Sequence, residues 1–232
     1  MLSKKNGLFF ARTVKRESFV SSVWDPYFYR QNGLKKKLQD YADVTKPLSN
    51  RELESLLFGP IEYRHIPRGD YLTFRIEPRS NHDTRWPSVG EQQLLFGTMR
   101  AYLGNVVATP KAEWLGLNPP LFFGVKSEFL QITPKDSYLY FWWAYLRSSA
   151  FLRNLPLGGG GTRPRLHKDG LLATPVSVPD ADKRKSIHQK LEDYAEREWK
   201  ESIGKAEILR SINSTKNMNA RHLQSRTRQA QR

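Results

Sequence analysis

The chain contains no cysteine. That excludes disulfides, cysteine-ligated zinc and thiol catalysis, and it fits a reducing compartment. Long hydrophobic runs are also missing. The longest, Tyr138–Leu146, falls far short of the roughly 18 apolar residues that span a bilayer. The basic N-terminal stretch has a short apolar part, Leu8–Ala11, too brief for the core of a secretory signal. A soluble, cytoplasmic protein without membrane association is therefore expected. No HExxH, Walker loop or GxSxG turn is present, and the five histidines are scattered at 65, 82, 167, 188 and 222. Without such clusters no metal, cofactor or catalytic residue is expected. Pro134-Lys135-Asp136 has the wrong order for a PD…ExK nuclease site.

Acidic residues are outnumbered, 23 against 38 Lys and Arg, so the 232-residue chain carries a net charge of +15. An excess of that size bears on partners rather than on fold, and nucleic acid is the commonest polyanion. At 38% hydrophobic and 12% aromatic the composition is that of a folded chain.

Residues 1–55 are basic and mixed, and Lys35-Lys36-Lys37 through Asp43 reads as a short helix with a solvated face. Residues 56–135 read as short strands between Pro and Gly turns: Tyr71–Ile76, Gln93–Phe96, Asn105–Ala108 and Glu128–Ile132. Between two of them lies the polar segment Arg79–Trp86, with Arg79, Asn81, His82 and Arg85 as candidate nucleic-acid contacts. Residues 136–155 read as one helix capped by Asp136 or Ser137 and ended by Pro156. It is aromatic on nearly every face, which marks a buried helix rather than a stacking platform. The tetraglycine at 158–161 lacks the Lys-Ser/Thr pair of a phosphate loop. It reads better as a flexible arm carrying Thr162, Arg163, Arg165, His167 and Lys168. A second basic–aromatic turn carries Arg100, Tyr102 and Asn105.

From residue 182 to about 212 apolar residues recur every three or four positions: Ile187, Leu191, Tyr194, Trp199, Ile203 and Leu209. That is one stripe on a helix of roughly 45 Å at about 1.5 Å per residue. A stripe so long exceeds what a lone globule is expected to cover, so an assembly arm is anticipated. The strict heptad of a coiled coil is absent around Tyr194–Trp199. The remaining tail is basic and expected to be disordered.

Two of these turns, in order, resemble a known family. Leu94-Leu95-Phe96-Gly97-Thr98-Met99-Arg100-Ala101-Tyr102-Leu103-Gly104-Asn105-Val106 resembles the "LLFGKxRPYLGKV" turn of type I restriction–modification specificity subunits. Gly124–Ile132 is similar to their "G…SxEFLVL" strand, and Tyr138–Phe151 to their "YLYYxLxSxxF" helix. Gly161–Leu166 with Lys168–Leu172 resembles "GTxRPRLxxxDLL", Thr174–Pro179 resembles "IPxPLP", and Trp24–Tyr29 resembles "LDPxYY". The resemblance implies an α+β chain: a mixed α/β target-recognition globule over 1–180, a coiled-coil-like spacer helix over 181–213 and a tail over 214–232. It implies sequence-specific recognition of double-stranded DNA, no catalysis of its own, and docking to an adenine methyltransferase subunit and to a restriction subunit. Three departures stand out. There is room for one recognition domain and one spacer helix, so a homodimer or a second specificity half is an expected partner. Ala181–Lys185 replaces the family's acidic "LEEQ", and Ala101 stands where the family has proline. An RNA-binding or ribosome-associated protein, and a cryptic nuclease fragment, remain the alternatives.

Overall fold

The computed structural model describes residues 36–47, 58–69, 71–77, 86–156 and 165–204. Among the described residues seven short strands form two sheets. The first holds β1 (Ala42–Thr45), β4 (Leu94–Gly97), β5 (Val106–Ala108) and β7 (Phe129–Pro134), ordered β1-β7-β4-β5 and antiparallel throughout. The second holds β2 (Phe58–Ile61), β3 (Ser88–Gly90) and β6 (Phe122–Val125), ordered β2-β6-β3, with β2 parallel and β3 antiparallel to β6. Among the described residues four α-helices follow: α1 (Leu139–Arg147), α2 (Ser149–Leu152), α3 (Lys168–Leu172) and α4, described over 181–204. The architecture is the α+β mixture anticipated, ending in a long helix.

Strand β4 lies between two neighbours, and Leu94, Leu95 and Phe96 are all fully buried. Consecutive apolar residues suit such a strand because both faces are covered. Helix α1 packs on β5 and β7, and its Tyr140, Trp142 and Leu146 are wholly buried. The sequence expectation of one helix over 136–155 needs correction. Ser148 adopts an extended conformation, donates to the Tyr145 carbonyl and accepts the Phe151 N–H, so it ends α1 and caps α2. A serine hydroxyl competing for backbone groups is the physical cause. Asp136 does help start α1, accepting from the Tyr138 N–H at 3.2 Å and from the Trp142 indole at 2.9 Å.

Two further expectations differ from the structure. The helix read from Lys35 to Asp43 is a single 3-10 turn, Leu38–Asp40, running into β1. Leu38 and Ala42 are needed in the core, and strand pairing with β7 buries Ala42 and Val44 on one face. Tyr71–Ile76 keeps its alternating burial, with Leu72 and Phe74 inside, but joins no sheet. Its backbone bonds go instead from Arg75 to the His65 carbonyl and from Leu72 to the Glu198 carboxylate.

That last bond shows where the long helix lies. The stripe anticipated as an assembly arm is covered, as far as Trp199, by the chain's own residues. Ile187 and Leu191 pack against the core, Ala195 and Trp199 are buried, and Trp199 meets Phe74 edge-on at 5.2 Å. Arg184 binds Asp136 at 2.8 Å, and Lys111 binds Glu192 at 3.1 Å. Tyr194 is half-exposed, Ile203 is partly exposed, and Leu209 lies outside the described residues.

His188 on α4 accepts the Tyr140 N–H through Nδ1 and stacks on the Tyr140 ring. Burial holds its pKa below the ordinary histidine value, against the opposing pull of Glu192 and Asp136. The unfolded chain therefore takes up a proton that the folded chain resists. This contribution to stability is complete above about pH 6.5 and is lost as pH falls through the lowered folded-state value. Urea denaturation should show stability falling as pH drops below about 6.5, and His188→Gln should shrink that fall. A second test addresses Trp199, whose buried indole N–H has no partner among the described residues. Trp199→Ala should cost about 3–5 kcal/mol. Trp199→Phe, which keeps most of the ring and removes the orphan donor, should cost much less.

Candidate nucleic-acid interface

Strands β4 and β5 form a hairpin whose connection is the basic–aromatic turn. The Gly97 N–H to Asn105 carbonyl bond, 2.8 Å, closes it. Inside it Ala101–Leu103 make one 3-10 turn, entered by Arg100 at φ 47° and left by Gly104 at φ 64°. Both termini of the turn are thus left-handed, which glycine tolerates and arginine does at a cost of roughly 1–2 kcal/mol. A non-glycine residue held there is a feature common at binding sites. Ala101 points inward, while Arg100, Tyr102 and Leu103 are exposed.

The turn is locked from beneath by Tyr63, which sequence reasoning missed. Its hydroxyl accepts the Met99 N–H at 3.0 Å and donates to the Glu128 carbonyl at 3.4 Å. Its ring stacks on Phe129, with centroids 5.0 Å apart. Burial is the main influence on this phenol and raises its pKa; the Met99 N–H opposes the shift. The hydroxyl accordingly stays protonated and can donate and accept at once. Thr98 adds a bond from its hydroxyl to the Glu128 carbonyl at 2.7 Å. Nothing local marks Tyr63, because its partners lie 36 and 65 residues away in sequence.

The same turn draws in the segment after the tetraglycine. Met99 pairs with Arg165 in an antiparallel bridge, and the Leu166 N–H binds the Thr98 carbonyl at 3.0 Å. Leu166 is buried, so it anchors the segment, and the Arg165 side chain is 61% exposed. Its nearest carboxylate, Glu128, is at 4.0 Å, the outer limit of an ion pair. Among the described residues Arg100 has no ion-pair partner. His167 and Lys168 follow at the start of α3, both exposed. Tyr63, Met99, Arg100, Leu103 and Asn105 line a cavity of about 310 Å³. Arginine and asparagine beside apolar side chains supply the donors, acceptors and apolar contacts that base edges and phosphates accept.

Arg79, Asn81, His82, Arg85, Thr162 and Arg163 lie outside the described residues. The residues flanking the first group are nonetheless tied to the site. Glu77 holds Arg64 and Arg75, while Lys126 sits 3.6 Å from the Trp86 ring and 3.3 Å from Glu62. Arg64 also binds Glu62, the neighbour of Tyr63. Among the described residues no cluster of His, Asp or Glu could hold a metal ion, and no helix is long and apolar enough to cross a membrane.

No family model matches the chain, and no curated protein matches it. Among solved structures it is similar to one described as the structural basis of complex assembly and conformational transition of the type I R-M system. The likeness has a TM-score of 0.41 at 15% identity and covers 74% of this chain. The chain spans 41% of that one.

Gly97 reports on the Tyr63 lock. A Cβ there would sit 2.6 Å from Tyr63 Cε1 and 3.1 Å from Asn105 Cβ. Gly97→Ala should cost about 1–3 kcal/mol by overpacking. In a Tyr63→Ala background the same replacement should cost clearly less, the Asn105 contact being the one that remains of the two. Equal costs in both backgrounds would show that Tyr63 does not constrain the turn.

Proposed function

We propose that the chain recognises the sequence of duplex DNA as a specificity component, one target-recognition domain over 1–180 and a spacer helix over 181–213. It directs a partner adenine methyltransferase and has no catalysis of its own. One observation carries the reading: the bridge between Met99 and Arg165. Two basic segments that resemble separate motifs of type I specificity subunits, 66 residues apart by 165 − 99, meet edge to edge. They present Arg100, Tyr102, Leu103 and Arg165 together at the surface. A solvated loop would have no reason to be held in register with a hairpin turn. The net charge of +15 supports the same polyanionic partner. Arg79, Asn81, His82, Arg85, Thr162, Arg163, His167 and Lys168 belong to the same proposed surface.

The test is a duplex titration by fluorescence anisotropy at several salt concentrations. If about 5–6 phosphates are neutralised, log K should fall against log salt with a slope of roughly −5. Arg100→Ala and Arg165→Ala each remove one guanidinium. Where that group meets a phosphate, the replacement should make the slope shallower by about 1. Where it meets a guanine, the replacement should cost about 1–3 kcal/mol and relax specificity at one base pair. Salt-independent binding, or unchanged affinity in both variants, would overturn the proposal. So would preference for structured RNA over duplex DNA in competition.

A further inference from the structure

Among the described residues the large hydrophobic side chains left exposed are Tyr71 (58%), Tyr102 (53%), Leu103 (58%) and Tyr194 (48%). Two of these sit on the recognition turn. The other two line a groove of about 890 Å³, with Arg68, Gly69 and Leu72, the end of α1 and helix α4 as its walls. Groove and turn adjoin. Gly104, at the end of the turn, lies against Arg147, since a Cβ on it would be 3.5 Å from Arg147 Cα. Arg147 also lines the groove. The turn and the groove are thus neighbours through Arg147, and exposed apolar groups on each mark a contact surface.

The charges of the groove name the occupant. Arg68 and Arg147 line it, and Arg197 lies 5.4 Å from the Tyr194 ring. Arg147 stacks on Trp143 at 4.4 Å and donates to the Gly69 and Tyr71 carbonyls, so its guanidinium is fixed in place. Among the described residues the carboxylate in the lining is Glu198, which accepts the Leu72 N–H at 2.9 Å and holds the groove wall to α4. Cations beside tyrosines, whose hydroxyls can donate to an anion, suit a sugar–phosphate backbone better than an apolar helix.

We propose that this groove holds the phosphate backbone of the duplex flanking the bases read at the turn. Arg68, Tyr71 and Tyr194 are then contact residues, and one duplex runs from the turn across Arg147 onto α4. This rests on the DNA-recognition reading above. It also gives α4 a role in binding as well as in spacing, and it assigns Tyr194 to DNA instead of to assembly.

The experiment uses the full chain and two duplexes carrying one sequence selected from a random library. One duplex ends at the selected bases; the other extends by about one helical turn on each side. Wild type should bind the longer duplex roughly fivefold to tenfold more tightly, with a steeper salt slope. The Arg68→Ala/Tyr194→Ala pair should bind both duplexes alike, at the wild-type affinity for the short one. Arg100→Ala should weaken both and keep the length dependence. Circular dichroism and urea denaturation should show the pair folded, since both side chains are exposed. If the pair retains the full length dependence, the groove proposal fails and the recognition reading stands. If wild type binds no duplex, both fail. If light scattering shows the pair breaking a wild-type dimer while DNA affinity is unchanged, the groove's occupant is a second copy and the proposal is overturned.

Discussion

Burying α1 on nearly all sides obliges its polar groups to find partners inside the protein, and those partners position everything else. Its N-terminal end meets Asp136, which at once takes the Tyr138 N–H, the Trp142 indole and the Arg184 guanidinium of α4. One carboxylate therefore ties the start of the buried helix to the start of the long one. Tyr140 extends the tie through the His188 ring and nitrogen. At the other end Arg147 reaches the Gly69 and Tyr71 carbonyls. An interior polar group left unpaired is costly, so each of these bonds fixes a segment that has little secondary structure of its own.

The candidate interface is built on the same requirement. Its turn is supported by Tyr63 from beside the other sheet, by Glu128 ahead of β7 and by Leu166 after the tetraglycine. The exposed Arg100, Tyr102, Leu103 and Arg165 are thus carried on backbone that is hydrogen-bonded underneath. Preorganised donors lose less entropy when they bind. The left-handed Arg100 follows from the same support, because surrounding bonds hold a conformation that the residue alone disfavours.

Helix α4 joins the packed core to the candidate interface. Its stripe covers the 71–77 segment and the edge of α1, so the helix belongs to the packed structure through Trp199. Glu198 and Trp199 hold Leu72 and Phe74, and the same segment continues to Glu77, next to the candidate contacts beginning at Arg79. The position of the helix and the base of that segment are therefore mechanically linked.

Much of this was legible in the residues themselves. The charge excess, the absence of cysteine, the strands at 94–97, 106–108 and 129–134 and the long helix follow from composition and local periodicity, which act over a few residues. The basic character of Arg100 and Arg165 was equally plain. What only the tertiary structure decided is everything that needs a distant partner. Sequence periodicity reports that Trp199 belongs on an apolar face; it cannot say that Phe74 covers that face. The alternation of Tyr71–Ile76 predicts which side chains are buried, yet strand pairing depends on a neighbour, and its backbone bonds went to His65 and Glu198 instead. Tyr63 carries no local mark at all, because its function as a support arises from hydrogen bonds to Met99 and Glu128 that exist only once the two sheets have come together.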